Sequence, residues 1–196
     1  MDEQHKQKRL GKVTASKVFN LFGTPAARSK YMRDLLAERI TGIKEDSFES
    51  SFMKWGNEFE PIARLEYSMK YCLKVKEVDF VAHPKINDSG CSPDGLIEEE
   101  GLIEIKCRQS NTHLDYFLTG KPTKDDIHQM IWQMACTGRH WCDLVAYHPY
   151  FPEHLKMVVI KLDRNMDSIK IYEDKVVEFL AELEDLYLKI LKRGDI

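Results

Sequence analysis

Midway along the chain, CSPDGLI from Cys91 to Ile97 and GLIEIKC from Gly101 to Cys107 flank the acidic turn Glu98-Glu99-Glu100. Aliphatic and β-branched residues bounded by Pro, Gly and acidic residues predict two short strands joined as a hairpin. Helical patterns lie on both sides. Thr14 or Ser16 can cap a short helix carrying Val18, Phe19 and Leu21, and Ser29 can cap a second through Arg39 that stops at Gly42. A third runs from about Phe52 to Tyr71, with a kink or restart expected at Pro61. Beyond the hairpin, a helix over Lys124–Cys136, strand-like runs DLVAYH and LKMVVIKL, and a final helix over about Asn165–Leu191 complete the pattern. Its apolar residues Ile169, Tyr172, Val176, Phe179, Leu180 and Leu183 form one docked side. The fold class is therefore α/β (α+β).

With 196 residues, and without a repeat or a linker long enough to separate independent units, one domain over 1–196 is expected. A 43% hydrophobic, 31% charged composition is that of a soluble globular protein, and no run reaches the ~18 apolar residues of a membrane span. The N-terminal MDEQHKQKRLGK lacks the apolar core of a secretory signal, so a cytoplasmic location with reduced thiols is expected. Five cysteines without a C-x-x-C pair signal neither a disulfide framework nor a zinc site. A net charge of −3 does not by itself suggest a nucleic-acid binder. The charge is segregated, however, with His5, Lys6, Lys8, Arg9 and Lys12 near the start and Glu and Asp toward the end.

The hairpin also carries the chemistry. Asp94 and Glu104 offer two carboxylates to a hard cation such as Mg²⁺, and Lys106 follows on the same strand face as Glu104, while Ile105 points into the core. A lysine beside a metal's water can orient or deprotonate that water, or neutralise charge on a phosphate under attack. One condition is geometric. Asp94 shares a face with Glu104 only if paired residue numbers sum to an even number, which predicts an odd-length turn, a bulge, or a departure from strand geometry at Asp94. Upstream, WGNEFEPIAR places Glu58 and Glu60 two apart, on different helix faces, and Glu60 is chosen as the third carboxylate.

These residues, taken in order, resemble the lambda-exonuclease-like phage recombination nucleases of the PD-(D/E)xK restriction-endonuclease-like superfamily. The resemblance covers RLGKVTAS at Arg9–Ser16, LLAERITG at Leu35–Gly42, WGNEFEPIAR at Trp55–Arg64, the two hairpin strands, and a later helix with Gln129. It implies a restriction-endonuclease-like core, a central mixed sheet flanked by helices. It also implies that Asp94, Glu104 and the Ile105 carbonyl bind Mg²⁺ (or Mn²⁺), that Lys106 serves the nucleophilic water, and that Glu60 and Gln129 support the site. Arg9, Ser16 and Ser92 would form a pocket for a terminal 5′-phosphate, with Arg28 aligned as a further phosphate contact only through a gap, and Met53 as a strand-separating wedge. The implied activity is 5′-to-3′ digestion of one strand of linear duplex DNA, leaving a 3′ overhang for recombination. The implied partners are DNA ends, two further copies in a ring-shaped homotrimer, and a single-strand annealing protein. Two other readings are an endonuclease with the same site, against which Arg9, Ser16 and Ser92 argue, and a non-catalytic DNA-end-binding protein, against which the complete Asp94, Glu104 and Lys106 set argues.

Overall fold

The computed structural model describes residues 7–44 and 51–194. Its first elements are β1 (Val13–Thr14), a 3-10 segment (Ala15–Leu21), α1 (Pro25–Thr41), α2 (Ser51–Tyr71), β2 (Val75–Lys76), β3 (Val81–Ala82) and β4 (Ser89–Cys91). There follow β5 (Gly95–Ile97), β6 (Gly101–Lys106), α3 (Ser110–Thr119), α4 (Lys124–Thr137), β7 (Trp141–Tyr147), β8 (Met157–Asp163) and α5 (Met166–Gly194). Five strands form a mixed sheet in the order β2-β5-β6-β7-β8, and β1-β4-β3 form a smaller one. Both mix directions: β6–β7 and β1–β4 are parallel and the other pairs antiparallel. Among the described residues, no helix is long and apolar enough to cross a membrane.

The parallel β6–β7 pair accounts for α3, a helix that the sequence pattern does not predict. Parallel neighbours need a crossover, and α3 with α4 supplies it. Locally α3 is weakly marked: its cap residue Gln109 makes no side-chain capping bond, and docking of buried His113 and Tyr116 holds it. Two other boundaries differ from expectation. Thr24 rather than Ser29 caps α1, accepting from the Ala27 amide at 3.2 Å ahead of Pro25, a residue suited to a first helical position. Gly42 does end that helix, in the left-handed region at φ 69°. Helix α2 runs through Pro61 without the expected restart, because Pro61 is exposed while Phe59, Ala63 and Tyr67 anchor the helix to the sheet on its other side.

Helices cover both faces of the large sheet. On one face Leu102, Cys142, Leu144 and Ala146 pack with Met130, Met134, Phe179 and Leu183 from α4 and α5. On the other, Ile97, Ile103, Ile105 and Val145 pack with Phe59, Ala63 and Tyr67 of α2. Strand alternation therefore places Glu104 and Lys106 on the α4 side, and Glu104 is only 2% exposed. At the hairpin, Gly95 pairs with Ile103 and Ile97 with Gly101, so the indices sum to an even number and the turn is the odd-length Glu98–Glu100. Its first residue, Glu98, takes φ 46°. A β-carbon at Gly95 would lie 2.3 Å from the Val75 side chain, so glycine there lets β2 close against β5 beside Asp94.

Candidate active site

Between β4 of the small sheet and β5 of the large one, Ser92, Pro93 and Asp94 form an irregular step. Pro93 has no amide hydrogen to offer a ladder, so the chain leaves one sheet there and enters the other. Carrying the hairpin register one step further sets Asp94 opposite Glu104. Its Oδ2 accepts a 2.6 Å bond from the Ile105 amide, while its carbonyl accepts one of 2.8 Å from Arg64 Nε. The Ile105 side chain lies in the α2 core, as alternation requires.

Glu104 sits at the centre of a network. Its Oε1 accepts from Lys106 Nζ at 2.5 Å and Gln129 Nε2 at 2.7 Å, and its Oε2 accepts from Gln133 Nε2 at 2.5 Å. Lys106 Nζ also donates to Gln129 Oε1 at 3.0 Å. An ammonium only donates and a carboxylate only accepts, so the chemistry of its neighbours fixes how the Gln129 amide must face. Helix α4 delivers both glutamines. A capping box between Thr123 and Asp126 fixes its start, and Asp126, Gln129 and Gln133 share one face.

On the other side of Asp94, Arg64 Nη2 binds Glu60 at 2.5 Å and its Nη1 binds Glu77 at 3.0 Å. One guanidinium thus ties α2 to the Asp94 backbone and holds Glu60 beside it. Arg9, Ser92, Glu60, Arg64 and Asp94 line one cleft of about 440 Å³. Arg9 Nη2 donates to Ser16 Oγ at 3.2 Å, and its buried Nε has no hydrogen-bond partner among the described residues.

Negative charge dominates the electrostatics. Burial, then repulsion from Glu104 and Glu60, raises the Asp94 carboxyl well above its usual range, against the pull of Lys106 and the Ile105 amide. Glu60 is raised by burial, against the pull of Arg64. Burial works against the Lys106 ammonium, but Glu104 and Asp94 outweigh it and its value rises. Burial holds the Arg9 guanidinium below its ordinary value. The Cys107 thiol is pushed up to about 12, first by burial and then by Glu60 and Asp94, which disfavours the thiolate.

Asp94, Glu104 and Glu60 supply carboxylate oxygens, the donor chemistry that a hard cation such as Mg²⁺ or Mn²⁺ takes. Among the described residues no three His, Cys, Asp or Glu side chains gather at one point.

The structure thus brings together Asp94, Glu104, Ile105, Lys106, Gln129 and Glu60, sets Arg9 and Ser92 in the adjoining cleft, and ties Ser16 to it through its bond with Arg9. Arg28 is not brought there: its guanidinium makes two 2.8 Å bonds to Glu182 of α5 and lies 5.2 Å from the Phe179 ring centre. An alignment through a gap carried no information about this docking. The Met53 side chain lies outside the described residues. Sequence reasoning missed Arg64, four residues after Glu60 and hence on its face, and named Gln129 where the structure also brings Gln133 to Glu104.

Residues 4–140 match the model of the YqaJ-like viral recombinase domain. No curated protein sequence matches the chain. Among solved structures, an alkaline exonuclease, LHK-Exo of Laribacter hongkongensis, is 40% identical with a TM-score of 0.96, over 99% of this chain and 98% of that one. The complex of LHK-Exo with dAMP aligns over the same shares at 41% identity and TM-score 0.96. A phage-related exonuclease of Haemophilus somnus shares the fold at 15% identity and TM-score 0.73, over 93% of this chain and 96% of that one. The kinship expected from the ordered motifs is thereby found, and the chain belongs to the YqaJ-like viral recombinase family.

Proposed function

We propose that this chain is a Mg²⁺-dependent exonuclease that degrades one strand of linear duplex DNA from its 5′ end and leaves a 3′ overhang for recombination. The observation that carries the reading is the gathering of Asp94, bonded to the Ile105 amide, with Glu104 and Lys106 of the same strand, beside a cleft holding Arg9, whose buried Nε has no hydrogen-bond partner among the described residues. Similarity to LHK-Exo over nearly the whole chain supports the exonuclease class.

Asp94 and Glu104, with the Ile105 carbonyl, are the residues to hold the cation; Mn²⁺ is an alternative occupant. When bound, such a cation polarises the phosphate and activates water toward attack. The chain's own groups do the rest. Lys106, held by Glu104 and Gln129, presents an ammonium that orients the attacking water or meets charge gathering on phosphate oxygen. Glu60 is steadied by Arg64 at the cleft edge, one bond from the backbone of Asp94. Arg9 and Ser16, with Ser92, offer a guanidinium and hydroxyls to a terminal phosphate, which is the chemistry that selects an end over an interior bond. A ring-shaped homotrimer and delivery of the overhang to a single-strand annealing protein belong to the same proposal, on the strength of the family resemblance. A ring would also reconcile the acidic net charge with DNA binding by focusing basic groups inside.

The test is Mg²⁺-dependent digestion of linear against covalently closed circular duplex, with wild type and Lys106→Ala in parallel. Loss of linear DNA alone, by wild type alone, is expected. Cutting of the circle would replace the exonuclease with an endonuclease, and no digestion of either would leave a DNA-end-binding protein.

A further inference from the structure

Gln133 lies among apolar neighbours of α4 and β7, fully buried, and its amide nitrogen donates to Glu104. A polar side chain so placed is destabilising unless it is satisfied. Its Nε2 donates to Glu104 Oε2 at 2.5 Å, and its Oε1 faces the Cys142 thiol at 4.0 Å. The carboxylate can only accept, so the amide cannot turn over without placing oxygen against oxygen.

A carboxylate has about four acceptor positions. Lys106 and Gln129 occupy the two on Oε1, and Gln133 occupies one of the two on Oε2. The remaining position is on the oxygen that Gln133 grips. We propose that Gln133 is a positioning residue: it sets the rotation of the Glu104 carboxylate and so aims its last acceptor position at the cation. Gln129 performs a different task, because its carbonyl is committed to Lys106. The inference rests on the metal site of the proposed function.

The test measures Mn²⁺ binding by calorimetry in the absence of DNA, for wild type, Gln133→Met and Gln133→Asn. Methionine keeps the volume without the donor, and asparagine keeps the amide but is too short to reach. Partners that orient a metal ligand are typically worth about 10- to 100-fold in affinity. A loss of that size is expected in whichever variants circular dichroism shows to be folded. In digestion assays the Mn²⁺ concentration for half-maximal turnover should rise by a similar factor while the KM for DNA holds. Wild-type Mn²⁺ affinity in either folded variant would overturn the positioning role and leave the metal site standing. Absence of Mn²⁺ binding by wild type itself would overturn both.

Discussion

Replacing Asp126 with alanine tests how the site is held in place. The side chain is 1% exposed and accepts from Arg108 Nη2 at 2.6 Å, the Tyr116 hydroxyl at 2.7 Å, Thr123 Oγ1 at 2.6 Å and the Thr123 amide at 3.0 Å. Losing the capping box alone should cost about 1 kcal/mol. Removing one member of a buried ion pair typically costs about 3–5 kcal/mol, because its partner is left unpaired. Among the described residues Arg108 Nε already has no hydrogen-bond partner, but the side chain is 37% exposed and water can screen what remains. These terms overlap, so about 3 kcal/mol is expected, which at roughly 2–4 °C per kcal/mol lowers Tm by about 6–12 °C. The pH dependence has a definite sign. Burial pushes the Asp126 carboxyl up, but the Thr123 hydroxyl, Arg108 and Tyr116 outweigh it and hold it below the ordinary carboxylate value. Its contribution is therefore complete above the unfolded-state value of about 3.9 and fades as pH falls through the lower folded value. Urea unfolding of metal-free protein at pH 7, and in steps below pH 4, should show a gap between wild type and Asp126→Ala that narrows with acid. A loss under about 1 kcal/mol at pH 7, or a gap that stays constant in acid, would refute the argument.

Asp94→Asn should abolish digestion and yet raise the Tm of metal-free protein at pH 7, since it removes a carboxylate disfavoured by burial and by Glu104 and Glu60. That advantage should shrink as pH falls through the raised folded value of Asp94, where wild type sheds the same penalty; a lower Tm for the variant would contradict it. At Mg²⁺ near 100 times its Kd, wild type should gain about 2.7 kcal/mol in denaturant titrations, and Asp94→Asn far less. Lys106→Ala is expected to reduce turnover by roughly 10²–10³ while DNA binding in a gel-shift assay is kept. Arg9→Ala should erase about 10- to 100-fold of the preference for 5′-phosphorylated over 5′-hydroxyl ends, the worth of a charge-assisted hydrogen bond. Equal digestion of both ends by wild type would remove the pocket assignment.

Much was readable from the chain alone where the code is local. The Glu104–Lys106 spacing and the apolar side of α5 are periodicities of two and of 3.6, and the backbone imposes them wherever the sequence is placed; the hairpin register chose the odd-length turn among the three geometries the sequence left open. Gly42 as a helix stop belongs to the same class. Tertiary structure decided what depends on partners far away in sequence. Helix α3 exists because β6 and β7 are parallel and need a crossover, and Pro61 is tolerated because it faces water while the opposite side of α2 is docked. Arg28 goes to Glu182, 154 residues away, and Gln133 to Glu104, 29 away. Neither pairing is written in any window of the sequence. The candidate site residues thus lay in a short hairpin, whereas their orientation came from α2 and α4. A hydrogen-bond donor's direction is set by the element that carries it and by the packing of that element against the sheet.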